Sequence, residues 1–188
     1  CYRIQQGDAA AFGDTGTFYT IPHLLEVLAD LGLTPEQVRY VIPTHVHLDH
    51  AGGAGELMAH CPNAILITHA KGVPHMIDPS RLQAGATAVY GAEAFQKDYG
   101  RLVAIPAERV RAAQDGETIE LNGRRLTLLE TAGHANHHIC IFDGQSQTGF
   151  TGDTFGLSYR EFDTANGAWI MAPTTPVAFD PDAWLESL

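Results

Sequence analysis

The stretch that most restricts this chain is Thr44-His45-Val46-His47-Leu48-Asp49-His50-Ala51-Gly52-Gly53, which directly follows the apolar run Val38 to Pro43. The apolar run reads as a buried strand. Three histidines and one carboxylate then fall within six residues, 45 to 50. Imidazole nitrogen and carboxylate oxygen are donors that zinc, iron and related ions accept. On an extended strand end, His45 and His47 leave the same face because they stand two apart. Asp49 and His50 are neighbours, so they converge only if the chain bends, and Gly52-Gly53 suits the dihedrals of such a bend. The pattern predicts a strand that runs into a metal-binding turn and then opens a helix.

Two further segments carry donors behind strand-like sequence, Thr131-Ala132-Gly133-His134 and Phe150-Thr151-Gly152-Asp153-Thr154. The candidate metal ligands are therefore His45, His47, Asp49, His50, His134 and Asp153. A catalytic zinc takes three protein ligands plus water, and a structural one takes four. Six donors, two of them carboxylates, fit two ions better than one.

With these residues in hand, His45-x-His47-x-Asp49-His50-Ala-Gly-Gly resembles the motif of the metallo-β-lactamase superfamily of binuclear metallohydrolases. Gly133-His134 and Gly152-Asp153 stand where that family keeps its third histidine and its bridging aspartate, and the likeness runs from Asp14-Thr15-Gly16 to about Phe155. The resemblance implies an α/β (α+β) fold, a four-layer αβ/βα sandwich. It implies that His45, His47 and His134 hold one ion, that Asp49 and His50 hold the second, and that Asp153 bridges them. The cofactors implied are two divalent ions, zinc first, with iron or manganese as alternatives. The ions would share one activated water, and Asp49 would orient it and take its proton. By the same resemblance Asp14 is an outer partner that orients a ligand histidine, although an acid before Thr-Gly also marks an ordinary turn. The family supplies one more histidine from near its C-terminus. No histidine follows His138 here, so that ligand is expected beyond Leu188, and the 1–188 domain is expected to be truncated at both ends.

The resemblance implies hydrolysis of an ester, a thioester (as in glyoxalase II-like enzymes) or a lactone, with phosphoesters and β-lactams further off. One lactamase branch has Arg in place of His50 and a Cys ligand; another lacks the bridging aspartate that Asp153 supplies. A flavodiiron-like oxidoreductase or oxygen sensor on the same fold is the alternative from another class. Such proteins carry glutamate at the second ligand position, where this chain has His47. A metal-binding protein without turnover is a third reading.

Composition narrows the partners. The formal charge of −11 disfavours a nucleic-acid backbone, which needs clustered Lys and Arg, and points to a small-molecule substrate. No window approaches the roughly 20 apolar residues of a spanning helix. Cys1, Cys61 and Cys140 make no disulfide framework and suggest reduced thiols, hence a cytoplasmic protein. The start at Cys1 leaves room for a preceding strand or leader. At 188 residues a single domain is expected, and a homodimer is compatible with it.

Along the chain, 1 to 16 predicts two strands around Gln6-Gly7-Asp8. Apolar residues at 21, 24, 25, 28 and 31 predict a helix, and Thr34-Pro35 a capped turn. Ala54 to His60 predicts a helix and Ala64 to Thr68 a strand. Residues 69 to 113 carry the weakest pattern, with helical character only at Ala92 to Tyr99, and read as an insertion shaping the pocket. His69 and His75 are taken there as pocket-lining or surface groups. Asn122-Gly123 predicts a hairpin between Glu117–Leu121 and Arg124–Glu130. His137 and His138 read as pocket groups or outer partners of a ligand, and Tyr159 as part of an aromatic loop near the site. Asp180-Pro181 predicts a helix start.

Overall fold

The apolar run before the histidines forms the expected strand, Val38–Ile42, and the rest of the molecule is arranged to bury it on both faces. The structure, a computed structural model, describes residues 1–175 and 178–188. In chain order the strands are β1 (Tyr2–Gln6), β2 (Ala9–Gly13), β3 (Val38–Ile42), β4 (Ile65–Thr68), β5 (Val110–Ala112), β6 (Thr118–Leu121), β7 (Arg124–Glu130), β8 (Ile139–Asp143), β9 (Thr148–Phe150), β10 (Leu157–Ser158) and β11 (Ile170–Met171). The helices are α1 (Ile21–Asp30), α2 (Leu48–Ala51), α3 (Ala54–His60), α4 (Val73–Ile77), α5 (Ser80–Tyr90), α6 (Ala92–Tyr99) and α7 (Pro181–Ser187).

Strands β1 to β5 form one sheet in sequence order, antiparallel between β1 and β2 and parallel thereafter. Strands β6 to β9 form an antiparallel meander, and β10 pairs with β11 alone. Strand periodicity explains how the sheets stack. In β2, Ala10 and Phe12 join one core with Ile21, Leu24 and Leu28 of α1 and Leu57 and Met58 of α3. Ala9 and Ala11 face the other way, into a second core with Leu121, Leu126, Leu128, Ile139 and Ile141 of the meander. Successive residues of a strand point to opposite faces, so a sheet covered on both sides reads as a continuous apolar run. The meander reads differently: Leu126 and Leu128 are buried while Arg125 and Leu129 face outward. These are helix, sheet and sheet layers of the expected sandwich.

The 69–113 region departs from expectation. Besides α6 it contains α4 and α5, which had little sequence signal. No residue of α5 is buried, so no apolar stripe is required to hold it and none is written in the sequence. Arg109, by contrast, anchors the region to the core by donating to the carbonyls of Met58 (2.9 Å), Ala64 (2.9 Å) and Cys61.

One ion pair stitches the sheets. Asp143 at the end of β8 is fully buried and accepts from Arg124 Nε (3.1 Å), Ser146 Oγ and Gln145 N (3.0 Å), while Arg124 Nη1 reaches Gln5 O of β1 (2.9 Å). The Arg124 hydrogen bond, aided by Ser146, holds the Asp143 carboxyl well below the usual range, against the opposing effect of burial. Asp143→Ala should lower unfolding stability by about 3 kcal/mol, the cost of stranding one member of a buried pair. Because the folded pKa is depressed, this contribution is complete above the unfolded aspartate value of about 3.9 and fades as pH falls below it. Urea titrations at pH 7 and pH 3 would show it: the gap between wild type and variant narrows at low pH.

Candidate metal centre

The donors gather where β2, β3, β7 and β9 end. Asp14 follows β2, His45 and His47 follow β3, His134 follows β7 and Asp153 follows β9. The chain bends after His47 into the short helix α2, which carries Asp49 and His50. A parallel sheet delivers its strand ends to one side, so loops there converge.

Two donor groups result. His45, His47 and His134 offer ligand atoms that lie within 4.8 Å of one another, as do His45, His50 and Asp153. His45 is common to both and fully buried. Its Nε2 is 2.9 Å from His47 Nδ1, and His134 Nε2 is 3.1 Å from the same atom. Asp153 spans the groups: Oδ1 is 3.3 Å from His50 Nε2 and Oδ2 is 3.3 Å from His134 Nε2.

The outer hydrogen bonds fix which nitrogen of each ring is held from outside and which faces inward. Thr44 Oγ1 donates to Asp14 Oδ1 (3.0 Å), so its oxygen is left to accept from His45 Nδ1–H (3.1 Å). His134 Nδ1–H donates to the Pro173 carbonyl (2.6 Å) and His50 Nδ1–H to Asp14 Oδ2 (2.9 Å). All three rings therefore turn Nε2 inward, and such outer partners orient metal-binding histidines. His45 and His134 both present lone pairs to His47 Nδ1. One proton there satisfies one of these two contacts; a cation satisfies all three nitrogens. With Zn–N of about 2.0–2.1 Å, tetrahedral geometry separates nitrogens by ~3.3 Å, close to the observed spacing. The donor set fits a divalent ion.

Electrostatics agree with the geometry. Burial, then the neighbouring His50, holds His45 far below the usual histidine range. Burial and His134 bring His47 down to about 4. His50 goes the other way, pushed up to about 12: burial opposes its charge, but hydrogen bonds to Asp14, Asp153 and Asp49 outweigh it. A positive charge is thus demanded among three carboxylates. The His50 hydrogen bond holds Asp49 below its usual value, and overcomes burial to do the same for Asp153.

Asp49 departs from the ligand assignment expected of it. Its Oδ2 lies 3.4 Å from His50 Nε2, but its side chain is 70% exposed and stays outside both donor groups. The first turn of α2 turns it to the mouth of the site. Asp14, at φ 57°, bonds Thr44 N (2.7 Å) as well as His50, so it secures both the strand end and the ring. His138, fully buried, donates from Nδ1 to Thr131 Oγ1 (2.8 Å) and accepts at Nε2 from Asp153 N (3.3 Å); burial, then His134, brings it to about 3. His137 accepts from Val46 N at 3.4 Å. His75 lines a small apolar cavity with Val46, Leu48 and Met76, beside the ligand turn. His69 pairs with Glu130 at 3.5 Å. Tyr159, expected near the site, packs instead on Trp169 and Phe162, with ring centroids 5.9 and 6.2 Å away, and is 46% exposed. It sits where the chain leaves β10, on the exposed hairpin that β10 and β11 form.

Two glycines permit the convergence. A Cβ on Gly152 (φ 48°) would strike the Thr44 hydroxyl and come within 2.9 Å of His138 Nε2. One on Gly133 (φ 138°) would strike the backbone of Trp184.

The model of the metallo-beta-lactamase superfamily matches residues 1–188. This chain belongs to that superfamily. The metallo-beta-lactamase fold-containing protein ST1585 of Sulfurisphaera tokodaii is 28% identical over 188 residues, covering 94% of this chain and 68% of its own length. The crystal structure of ST1585 superposes with a TM-score of 0.74 at 24% identity, covering 98% of this chain and 66% of that one. A hydroxyacylglutathione hydrolase of Prochlorococcus marinus is 30% identical over 118 residues, 62% of this chain and 36% of that protein. The thioesterase pkgB of Emericella nidulans is 28% identical over 116 residues, 62% of this chain and 24% of its own length. This superfamily member therefore spans little more than a third of the hydrolase and about a quarter of the thioesterase. Among the described residues no helix is long and apolar enough to cross a membrane.

Several groups that shape this superfamily site carry no signal in the residue string. Pro173 lies 39 residues from the histidine it bonds, and Trp184 touches both late ligand loops from a helix recognised only by its cap. Thr44 had a weak cue, standing at the strand end before His45.

Proposed function

We propose that the protein is a metal-dependent hydrolase with two adjacent ion sites, acting on a thioester ahead of a simple ester or lactone. The observation that carries the reading is Asp153, whose two oxygens face His50 and His134 while His45 belongs to both donor groups. His45, His47 and His134 would hold one divalent ion, zinc for preference, and His50 with Asp153 and His45 the other. Ions bound there would lower the pKa of a shared water and polarise the substrate carbonyl.

The chain's own groups define the rest. Asp14 and the Pro173 carbonyl hold the rings of His50 and His134 in their inward tautomers. Asp49 projects to solvent at the mouth, and the His50 hydrogen bond holds its carboxyl below the usual value. As a carboxylate it can orient the nucleophile, and it is poorly suited to hold a proton for the leaving group. A leaving group that departs as an anion is therefore favoured, and a thiolate, with a thiol pKa of about 8.5, does so far more readily than an alkoxide. The likeness to a hydroxyacylglutathione hydrolase and to a thioesterase supports the same choice. The reading covers residues 1–188 as one domain, with no nucleic acid or membrane partner and with a cytoplasmic location.

Zinc-loaded protein should turn over acyl thioesters at least ~10²-fold faster, in kcat/KM, than matched oxygen esters or a phosphodiester. A strong chelator should remove the activity and added zinc restore it. Equal rates on thioester and oxygen ester, or activity that survives chelation, would sink the proposal.

A further inference from the structure

His134 and Asp153 arrive on separate loops, after β7 and after β9, and their spacing decides whether Asp153 can span both donor groups. One element touches both loops. Helix α7 and the Asp180 that caps it lie across them, and their contacts fall on main-chain atoms beside the ligands. Asp180 N donates to Gly133 O (2.8 Å) and Ser187 Oγ to Ala132 O (2.7 Å), on the His134 side. Trp184 makes the connection to the other loop, since its indole Nε1 donates to Thr154 O at 2.6 Å, one residue past Asp153.

The same residue is pressed against the His134 loop. Its backbone occupies the space that a Cβ on Gly133 would need. Asp180 caps α7 by accepting from Asp182 N and Ala183 N, both at 3.1 Å, and accepts from Trp184 N at 3.0 Å, so the segment is rigid where it meets the loop. The Phe179 ring lies 5.9 Å from that of Trp184 and limits its rotation. We infer that Trp184 is a positioning residue of the metal centre: its indole N–H holds the Thr154 carbonyl while its backbone abuts Gly133, and together these set the distance between His134 and Asp153. The inference rests on the proposed reading only in that the donor set takes divalent ions; it does not depend on the substrate.

A residue that merely filled space would affect stability and leave metal affinity alone. Trp184→Phe keeps a ring in place and removes the N–H. Zinc affinity, measured on the full chain by competition with a chromophoric chelator, should fall about 10- to 100-fold, as for other outer partners of ligands. The melting temperature of the metal-free variant should stay within about 4 °C of wild type, a shift worth roughly 1 kcal/mol in a chain of this size. Trp169→Phe provides an independent readout, because the chain has two tryptophans and this leaves Trp184 alone to report. Its emission should change on zinc addition with the midpoint seen by the chelator. Affinity within twofold of wild type in Trp184→Phe would overturn the inference, as would emission indifferent to zinc. If Trp184→Phe fails to fold, the emission titration decides by itself. Tight zinc binding without thioester turnover would refute the proposed substrate and leave the role of Trp184 intact.

Discussion

Replacing His45 by alanine is expected to strip the protein of both ions and of turnover. His45 is the one side chain shared by the two donor groups, and it is fully buried between them. Four-ligand zinc sites bind with about 10–16 kcal/mol, so one ligand is worth on the order of 3 kcal/mol, or ~10²-fold in affinity. The loss should apply at each site and push kcat/KM below detection at micromolar zinc. Elemental analysis after gel filtration, paired with a thioester assay, checks it. Asp153→Ala should behave alike, because its oxygens face both His50 and His134. Retention of two ions by either variant would contradict the assignment.

The second large effect is expected at Asp14, which no ion would touch. Its carboxylate receives Thr44 N, Thr44 Oγ1 and His50 Nδ1–H at 2.7, 3.0 and 2.9 Å, and the residue is buried. Asp14→Ala leaves the Thr44 amide without its partner, frees the His50 ring to turn, and unpairs the hydroxyl on which His45 rests. Loss of a charged hydrogen-bond acceptor at a buried site costs about 3 kcal/mol. An alanine at a φ of 57° adds strain. Stability should therefore drop by about 3 kcal/mol in urea titration, and affinity for the second ion by about 10- to 100-fold. Asp14→Asn separates the two effects, since an amide oxygen can still accept from Thr44 and keep much of the stability, while the lost charge still weakens the hold on His50. If Asp14→Ala bound two ions as tightly as wild type, Asp14 would be an ordinary turn acid.

Much of this was legible in the residues. The strand from Val38, the hairpin at Asn122-Gly123, α1 and α3 follow from local pattern and appear where the pattern puts them. Asp180 caps α7 as an aspartate before proline should. The first donor trio was named from motif order, and the structure brings its ligand atoms within 4.8 Å of one another. Legibility failed where no burial writes a pattern, as in α5, and where a side chain's direction depends on a turn, as with Asp49. It failed as well at Tyr159, because nearness in sequence to Asp153 does not say which way the hairpin leaves the site.

The sequence by itself determined the chemistry available: which side chains can donate to an ion, which strand ends carry them, and that their number suits a pair of ions. Donor identity and strand period are local properties, so the residue string suffices for them. Only the tertiary structure decided which donors lie close enough to share an ion, left Asp49 outside both groups, and put the Pro173 carbonyl and the Trp184 indole against the late ligand loops. Those outcomes depend on contacts between loops far apart along the chain, and such contacts are set by the packing of two sheets, which no short stretch of sequence contains.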